Sequence, residues 1–475
     1  MNFINGKLIE TAETFAVSNP YTGETLGNVA RSNAEDVKLA VESSAKAFPN
    51  WANLAAWERE KILLNCADEL EKNADKLTDI LIDESGSCIT KARYETGYTP
   101  RLLRAAAGEA TRLYGETMPN ERPMRMTFVV REPIGVVVCI VPFNAPLALL
   151  AKMVAFPLAA GNSVIVKPSE ETPLIALEFA KILTEAGLPD GVLNVVNGYG
   201  HEIGEVLITD PKVRGVALTG STQTGQIVGK QAINGMKHLQ LELGGKNPLI
   251  ILDDFDVEKA ADIAAEGIFT HSGQICMANS RVLVQKGIAD EFCAKLVEKS
   301  ESLFLGDLRD ERTFYGTLIN QKAIVKVEYH VKDAIEKGAK LLTGGRILQG
   351  LRYAPTVLLN PPKTSLAWCE ESFAPLVSVT IIEDLDEGIT LANDSDYGLS
   401  AGILTNDIKL GFTAARQIKA GSVHIGTHPF QSNALAPIGG YGMSGIGRSG
   451  GKYSVEAFTE VKWISVELGS LPFSS

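Results

Sequence analysis

"NSVIVKPSEETPLIALEFAKILTEAGLPDGVLNVV", residues 162–196, decides the fold. The short β-branched run NSVIVKPS (162–169) reads as a strand. PLIALEFAKILTEAG (173–187) follows with helical periodicity, Pro at its start and Gly at its end. VLNVV (192–196) returns to a strand. The alternation continues with the helix-like HEIGEVLITD (201–210), the strand VRGVALTG (213–220), a helix beginning STQTGQIVGKQA (221–232) and the strand HLQLELGG (238–245). Strand–helix–strand alternation requires right-handed crossovers and a parallel sheet, so the fold class is α/β. Ligands of such sheets lie beyond the carboxyl ends of the strands.

A second set starts at NPLIILDD (247–254) and runs through VEKAADIAAEGIFTHSG (257–273) and AIVKVEYHVKDAIEKGA (323–339), which predicts a second α/β domain. MRMTFVVREP (124–133) and FTEVKWISVEL (458–468) alternate like solvent-edged strands. Two such edges, far apart in sequence, pair with each other or with another subunit.

A chain of 475 residues exceeds one core and predicts two or three domains. No Lys/Arg block offsets the net charge of −12, which argues against nucleic acid and anionic membrane as partners. The first residues, MNFINGKLIETAE, lack the basic and apolar regions of a signal peptide. The longest apolar run, IGVVVCIVPF (134–143), is about half the roughly 20 residues of a membrane span and reads as a buried strand. A cytoplasmic protein is expected. The six cysteines are irregularly spaced and form no C-x-x-C, which predicts reduced thiols. His201-Glu202 is the nearest approach to a zinc motif and lacks its second His, so no metal is expected.

Several short stretches carry chemistry. In HSGQICMANSR (271–281), Cys276 stands between a helix-periodic segment and the strand RVLVQ. A free Cys is most often buried filler. GIGRSG (445–450) matches G-x-G-x-x-G but follows GGYGMS rather than a strand, so it reads as a flexible loop. GYGHEIG (198–204) has one residue too many for that fingerprint, yet it follows a strand and opens a helix. TGSTQTG (219–225) has P-loop glycine spacing, with Gln226 in place of the lysine. The helix after Gly220 offers free N–H groups to a phosphate, with the Ser221 hydroxyl beside them; a plain Ser N-cap is equally consistent. Asn144 follows the strand GVVVCIV between Pro142 and Pro146. Lys167 and Glu170 end another strand, where a dinucleotide ribose could lie. Glu242 precedes Gly244-Gly245, and Glu371 and Phe373 stand in EESFAPL (370–376).

In order along one chain stand PFNAP, KPSE, TGSTQTG, LELGGK, GQIC, ESFAP and PIGGYGMSG. This ordered set closely resembles the aldehyde dehydrogenase superfamily over nearly the whole chain. The resemblance implies that Cys276 is the nucleophile, Glu242 the general base and Asn144 the side-chain half of the oxyanion hole. It implies adenosine-ribose contacts at Lys167 and Glu170 and a pyrophosphate site at Gly220 and Ser221. Gly200 and Phe143 join the cofactor contacts, and Glu371 and Phe373 hold the nicotinamide ribose and ring. The implied cofactor is NAD, with NADP as alternative. The implied architecture is a Rossmann-like cofactor domain (1–118 and 140–243), a catalytic domain (244–445) and a small bridging β oligomerisation element (119–139 and 446–475). That element builds a homodimer or homotetramer.

Phe143 replaces the family's frequent Trp, Ala374 its usual Gly, and Met153 a frequent basic residue, with Lys152 just before it. The loop GTHPFQSNALAP (426–437) corresponds to the family's aldehyde tunnel. His428 and Phe430 give it an aromatic character, which suggests an aromatic or medium-size aldehyde of the vanillin or salicylaldehyde kind. No Arg pair in this loop marks a dicarboxylic semialdehyde. The alternatives are a semialdehyde substrate, a CoA-acylating relative, Cys–His hydrolysis using His271, or a non-catalytic protein on this fold.

Overall fold

The computed structural model describes residues 1–121 and 123–469. Residue 122 of the expected bridging segment 119–139, and residues 470–475 of the segment 446–475, lie outside the described residues. Largely buried, β-branched runs form the parallel heart of the first sheet: β1 (Val136–Ile140), β2 (Ser163–Lys167), β3 (Leu193–Val195), β4 (Val213–Thr219) and β5 (His238–Glu242). The intervening helices are α1 (Ala148–Ala159), α2 (Pro173–Glu185), α3 (Gly200–Thr209) and α4 (Thr222–Asn234). Across the sheet the order is 7–9, 2–4, β3, β2, β1, β4, β5 and 445–446. The chain therefore winds outward from β1 through β2 to β3, then returns to add β4 and β5 on the other side. That reversal opens a crevice at the carboxyl ends of β1 and β4, the usual ligand position in such sheets. Asn144 follows β1, Lys167 ends β2, Gly220 follows β4 and Glu242 ends β5.

Helix α1 is apolar on all sides and buried from Leu150 to Ala159, because it lies between the sheet and helix Ile89–Ala110. No Ser or Asp starts it. Its first N–H groups, from Leu147 and Ala148, donate to the buried Glu95 carboxylate at 2.7 and 2.9 Å. Glu84 does the same for Leu174 and Ile175 of α2, and burial pushes its carboxyl up to about 8. Carboxylates from distant helices thus replace local caps.

The second sheet holds β6 (Pro248–Ile251), β7 (Arg281–Gln285), β8 (Thr356–Leu359), β9 (Leu376–Ile382), β10 (Ser400–Leu404) and β11 (Ser422–Ile425). Its order is 340–343, β8, β9, β7, β6, β10, β11, and it is parallel except at the 340–343 edge. Helices α5 (Val257–Phe269) and α6 (Gln321–Glu336) belong to this half. Residues 244–247, 276–280 and 371–375 lead into β6, β7 and β9. The amino ends of this sheet therefore meet the carboxyl ends of the first, and Asn144 Nδ2 crosses the seam to the Gln274 carbonyl at 2.9 Å.

Three expectations need correction. Residues 136–139, assigned to the bridging element, are the centre of the first sheet. Segments 124–133 and 458–468 do pair with each other, in register from Thr459↔Pro133 to Glu467↔Arg125, but the first is no sheet edge, because strand Arg125–Pro133 also pairs with Glu116–Met118. Thr459–Glu467 is the long edge of this sheet, opposite the short edge Glu116–Met118, with its Val461 and Trp463 60% and 68% exposed. GIGRSG is no loose loop either, since Gly445–Ile446 pairs antiparallel with Leu241–Glu242. A Cβ on Gly445 would come 2.1 Å from the Leu241 carbonyl, so glycine permits the approach. A two-residue strand paired about 200 residues away leaves no periodicity to read. Among the described residues, no helix is long and apolar enough to cross a membrane.

Candidate active site

Helix α5 ends at Phe269, and the chain then turns left-handed at His271 (φ 51°), Ser272 (φ 57°) and Gly273 (φ 68°). Two consecutive non-glycine residues in that region cost about 1–3 kcal/mol each and persist only when their surroundings over-determine them. Here Ser272 Oγ and Gln274 Nε2 donate to the Thr317 carbonyl, and Ile319 N–H donates to Gln274 Oε1 at 2.9 Å. At Gly273 a Cβ would meet the Ala374 carbonyl at 2.1 Å. This clamped turn delivers Cys276, whose carbonyl accepts from Asn247 Nδ2 at 2.8 Å.

Cys276 is half-buried, whereas Cys66, Cys88, Cys139 and Cys293 are buried. Cys66 and Cys139 donate to the carbonyls of Leu183 and Met153, as filler thiols do. Burial pushes the Cys276 thiol up to about 12; Glu371 and Glu242 add to the shift and Lys152 opposes it. Burial also raises Glu242, against Lys152, Ser449, Arg448 and Gln240. Glu242 Oε1 has no hydrogen-bond partner among the described residues. The bond from Asn144 to Gln274 uses one amide hydrogen and fixes the side chain beside the cysteine turn. Cys276, Glu242 and Asn144 thus converge on the seam between the sheets.

His271 is buried, both ring nitrogens lack hydrogen-bond partners among the described residues, and burial holds it well below its ordinary value. Among the described residues no hydrogen bond joins it to Cys276, so the Cys–His arrangement is not formed.

On the crevice side, Lys167 is buried, donates to the Pro168 carbonyl at 2.7 Å and stands 3.8 Å from the exposed Glu170. Gly200 borders the same lysine: a Cβ there would lie 3.7 Å from Lys167 Cε. Glu170 does not cap α2, because Glu84 takes those N–H groups. Ser221 caps α4, accepting from Thr224 N–H at 3.2 Å, beside the exposed end that follows Gly220. Glu371 accepts from Gly245 N–H at 2.9 Å, and burial raises its carboxyl. Phe373, with φ 53°, meets Phe143 edge to face at 5.8 Å and 87°.

His428, in the loop 426–437, contacts the helix that precedes the cysteine turn. It is buried against α5, where a Cβ on Gly267 would come 2.6 Å from His428 Cβ, and it stacks on Phe430 at 6.1 Å. The signal for Lys152 was visible: it is the one charged residue in a twelve-residue apolar helix. Glu95, Asn247 and Thr317, which brace the site, carried no local signal. Among the described residues, no group of three His, Cys, Asp or Glu could hold a metal ion.

A doubly wound sheet whose crevice faces a strained cysteine turn is the frame of a dinucleotide-dependent enzyme. The chain belongs to the aldehyde dehydrogenase family, whose model matches residues 8–464. It is thereby an NAD(P)-dependent oxidoreductase of aldehydes. It is 36% identical over 468 residues to the glutarate-semialdehyde dehydrogenase of Pseudomonas putida, covering 98% of this chain and 97% of that one. It is 38% identical over 459 residues to the vanillin dehydrogenase of Pseudomonas fluorescens, covering 96% and 95%. A betaine aldehyde dehydrogenase of Staphylococcus aureus, solved in complex with NAD+, superposes with a TM-score of 0.97 at 34% identity, covering 100% of this chain and 96% of that one.

Proposed function

We propose that the protein oxidises an aldehyde to its carboxylic acid, with NAD bound in the crevice and Cys276 as the nucleophile. The convergence of Cys276, Glu242 and Asn144 at the seam carries this reading. The crevice residues fit the dinucleotide: Gly200 and Gly220 present bare backbone, the α4 N-terminus is exposed, and a lysine and a carboxylate stand together at the end of β2. The bound cofactor would supply the hydride acceptor.

The chain's own residues do the rest. Cys276 gives up its proton to solvent and its sulfur adds to the aldehyde carbon as the carbonyl π bond opens onto oxygen, forming a thiohemiacetal oxyanion. Asn144 Nδ2 and the Cys276 N–H are the donors for its oxyanion; one such donor is worth about 10²–10³ in rate. Loss of hydride leaves a thioester on Cys276. Glu242 takes a proton from water as the water oxygen adds to the thioester carbonyl; collapse of that adduct breaks the C–S bond, and the proton held by Glu242 passes to the departing Cys276 sulfur, so acid and thiol are released. Retention of Glu242 favours water over CoA as acyl acceptor, and identification of acid rather than acyl-CoA as product tests this.

For the substrate, the half-buried Phe430 supports a medium-size or aromatic aldehyde. Lys152 favours a second reading: a buried cation that faces both Cys276 and Glu242 suits an aldehyde bearing an acidic group. A panel of neutral, aromatic and acid-bearing aldehydes, followed by nicotinamide absorbance, decides between them.

NAD is expected over NADP. A 2′-phosphate beside Glu170 sets like charges together, at a cost of order 1 kcal/mol, which Lys167 partly offsets. Glu170→Ser should shift the ratio of kcat/KM towards NADP. Equal use of both cofactors by the wild type would refute this.

We further assign the first sheet to cofactor binding, the second to catalysis and the third to self-association as a homodimer or homotetramer in the cytoplasm. The open edge at 459–467 and its exposed Val461 and Trp463 support the last assignment. Sedimentation at micromolar concentration should give a dimer or tetramer; a monomer overturns it.

A further inference from the structure

Helix α6 holds one turn of the proposed cofactor site along a single stripe. Lys326, His330, Asp333 and Lys337 stand at i, i+4, i+7 and i+11, the last just beyond the helix end. All of them bind the segment that leads to Phe373. Lys326 Nζ donates to the Glu371 carbonyl at 2.6 Å. His330 Nδ1 lies 3.1 Å from Ser372 Oγ, and its Nε2 lies 3.9 Å from Glu370 Oε2. Asp333 accepts from Leu366 N–H at 2.7 Å, and Lys337 donates to the Thr364 carbonyl at 2.8 Å. At the other end of the helix, its N-cap Asn320 donates to Glu171 at 2.6 Å, next to Glu170. One helix therefore touches both turns that flank the crevice.

The Glu371–Phe373 turn needs such support. Phe373 sits at φ 53°, a conformation that costs a bulky residue about 1–3 kcal/mol and relaxes unless it is held. Its neighbour Ser372 is buried, and His330 is 2% exposed. A buried imidazole beside a buried hydroxyl is a rigid brace, because neither has water as an alternative partner.

We propose that His330 is a positioning residue for the nicotinamide half of the cofactor site, fixing through Ser372 the turn that presents Glu371 and Phe373. This rests on the reading above that those two residues meet the cofactor. Burial, with Lys246 and Lys326 nearby and Asp333 opposing, pushes His330 down to about 3, so the ring stays neutral at working pH.

The test compares ligands with and without the nicotinamide. His330→Leu should weaken NAD binding about tenfold and leave ADP-ribose binding within about twofold, since the β2 and α4 contacts are untouched. The KM for NAD should rise by more than kcat falls. His330→Gln, whose amide can still meet Ser372, should recover most of the loss. Lys326→Met, at a solvent-facing position, should move the same ligands in the same direction, and it carries the test if His330→Leu fails to fold. Equal losses for NAD and ADP-ribose, or unchanged NAD binding in both variants, overturn the proposal. Glu371→Gln separates the two levels. If it leaves NAD binding and turnover intact, the cofactor reading of Glu371 falls. If it impairs them while His330→Leu and Lys326→Met do not, only the role of His330 falls.

Discussion

Cys276→Ala is expected to abolish aldehyde oxidation, lowering kcat by at least about 10⁴-fold, while NAD binding stays within about twofold. No other thiol can substitute. Cys139 is buried with its sulfur on a backbone carbonyl, and Cys369 is exposed. The substitution removes one sulfur from a half-buried position, so the fold should lose no more than about 1 kcal/mol. The clamps on the turn at Ser272, Gln274 and Gly273 remain. Because burial holds the thiol near 12, alkylation of Cys276 in the cofactor-free enzyme should accelerate steadily from neutral to alkaline pH. Iodoacetamide incorporation followed by mass spectrometry checks that slope. Turnover by the alanine variant within tenfold of wild type would falsify the nucleophile assignment.

Glu242→Gln should split the reaction in two. Acylation needs the thiol and the oxyanion donors, so a burst approaching one reduced cofactor per site is expected. Deacylation needs a base for water, so steady turnover should then fall about 10²–10⁴-fold. Mass spectrometry should find the acyl group on Cys276 during the stall. Undiminished steady turnover would place the base elsewhere. The variant should also change the pH dependence of stability. Burial raises the Glu242 carboxyl, so the folded protein keeps a proton that the unfolded chain releases. The stability from this group is present below the ordinary carboxyl value and lost as pH rises through the raised one. Glutamine does not titrate, so Glu242→Gln should lose less stability than wild type across that window.

The sheets and the site differ in how far the residues alone could announce them. SVIVK is a short, continuous apolar run and PLIALEFAKILTE has a period of 3.6, and the structure makes them a buried strand and a helix. Asn144, Lys167, Gly220 and Glu242 stood at strand ends in the text and stand at one sheet edge in space, because parallel winding puts successive carboxyl ends together. Other features depend on contacts distant in sequence. Nothing near Glu95 or Glu84 reveals that they cap helices 52 and 90 residues away. A left-handed His-Ser pair cannot be read from residue types that do not require that region. The packing of His428 against Gly267 likewise depends on a helix some 160 residues earlier.

The third sheet has a consequence for synthesis. Its long pairing joins positions about 330 residues apart, as with Lys462 and Glu132. Strand Arg125–Pro133 leaves the ribosome long before Thr459–Glu467 exists, so one of its edges waits, unpaired and sticky, while both large sheets are made. High contact order of this kind slows folding, because the closing loop must be ordered before its contacts repay it. The last strand therefore acts as a late latch, and the nascent chain is most prone to aggregate just before that strand arrives.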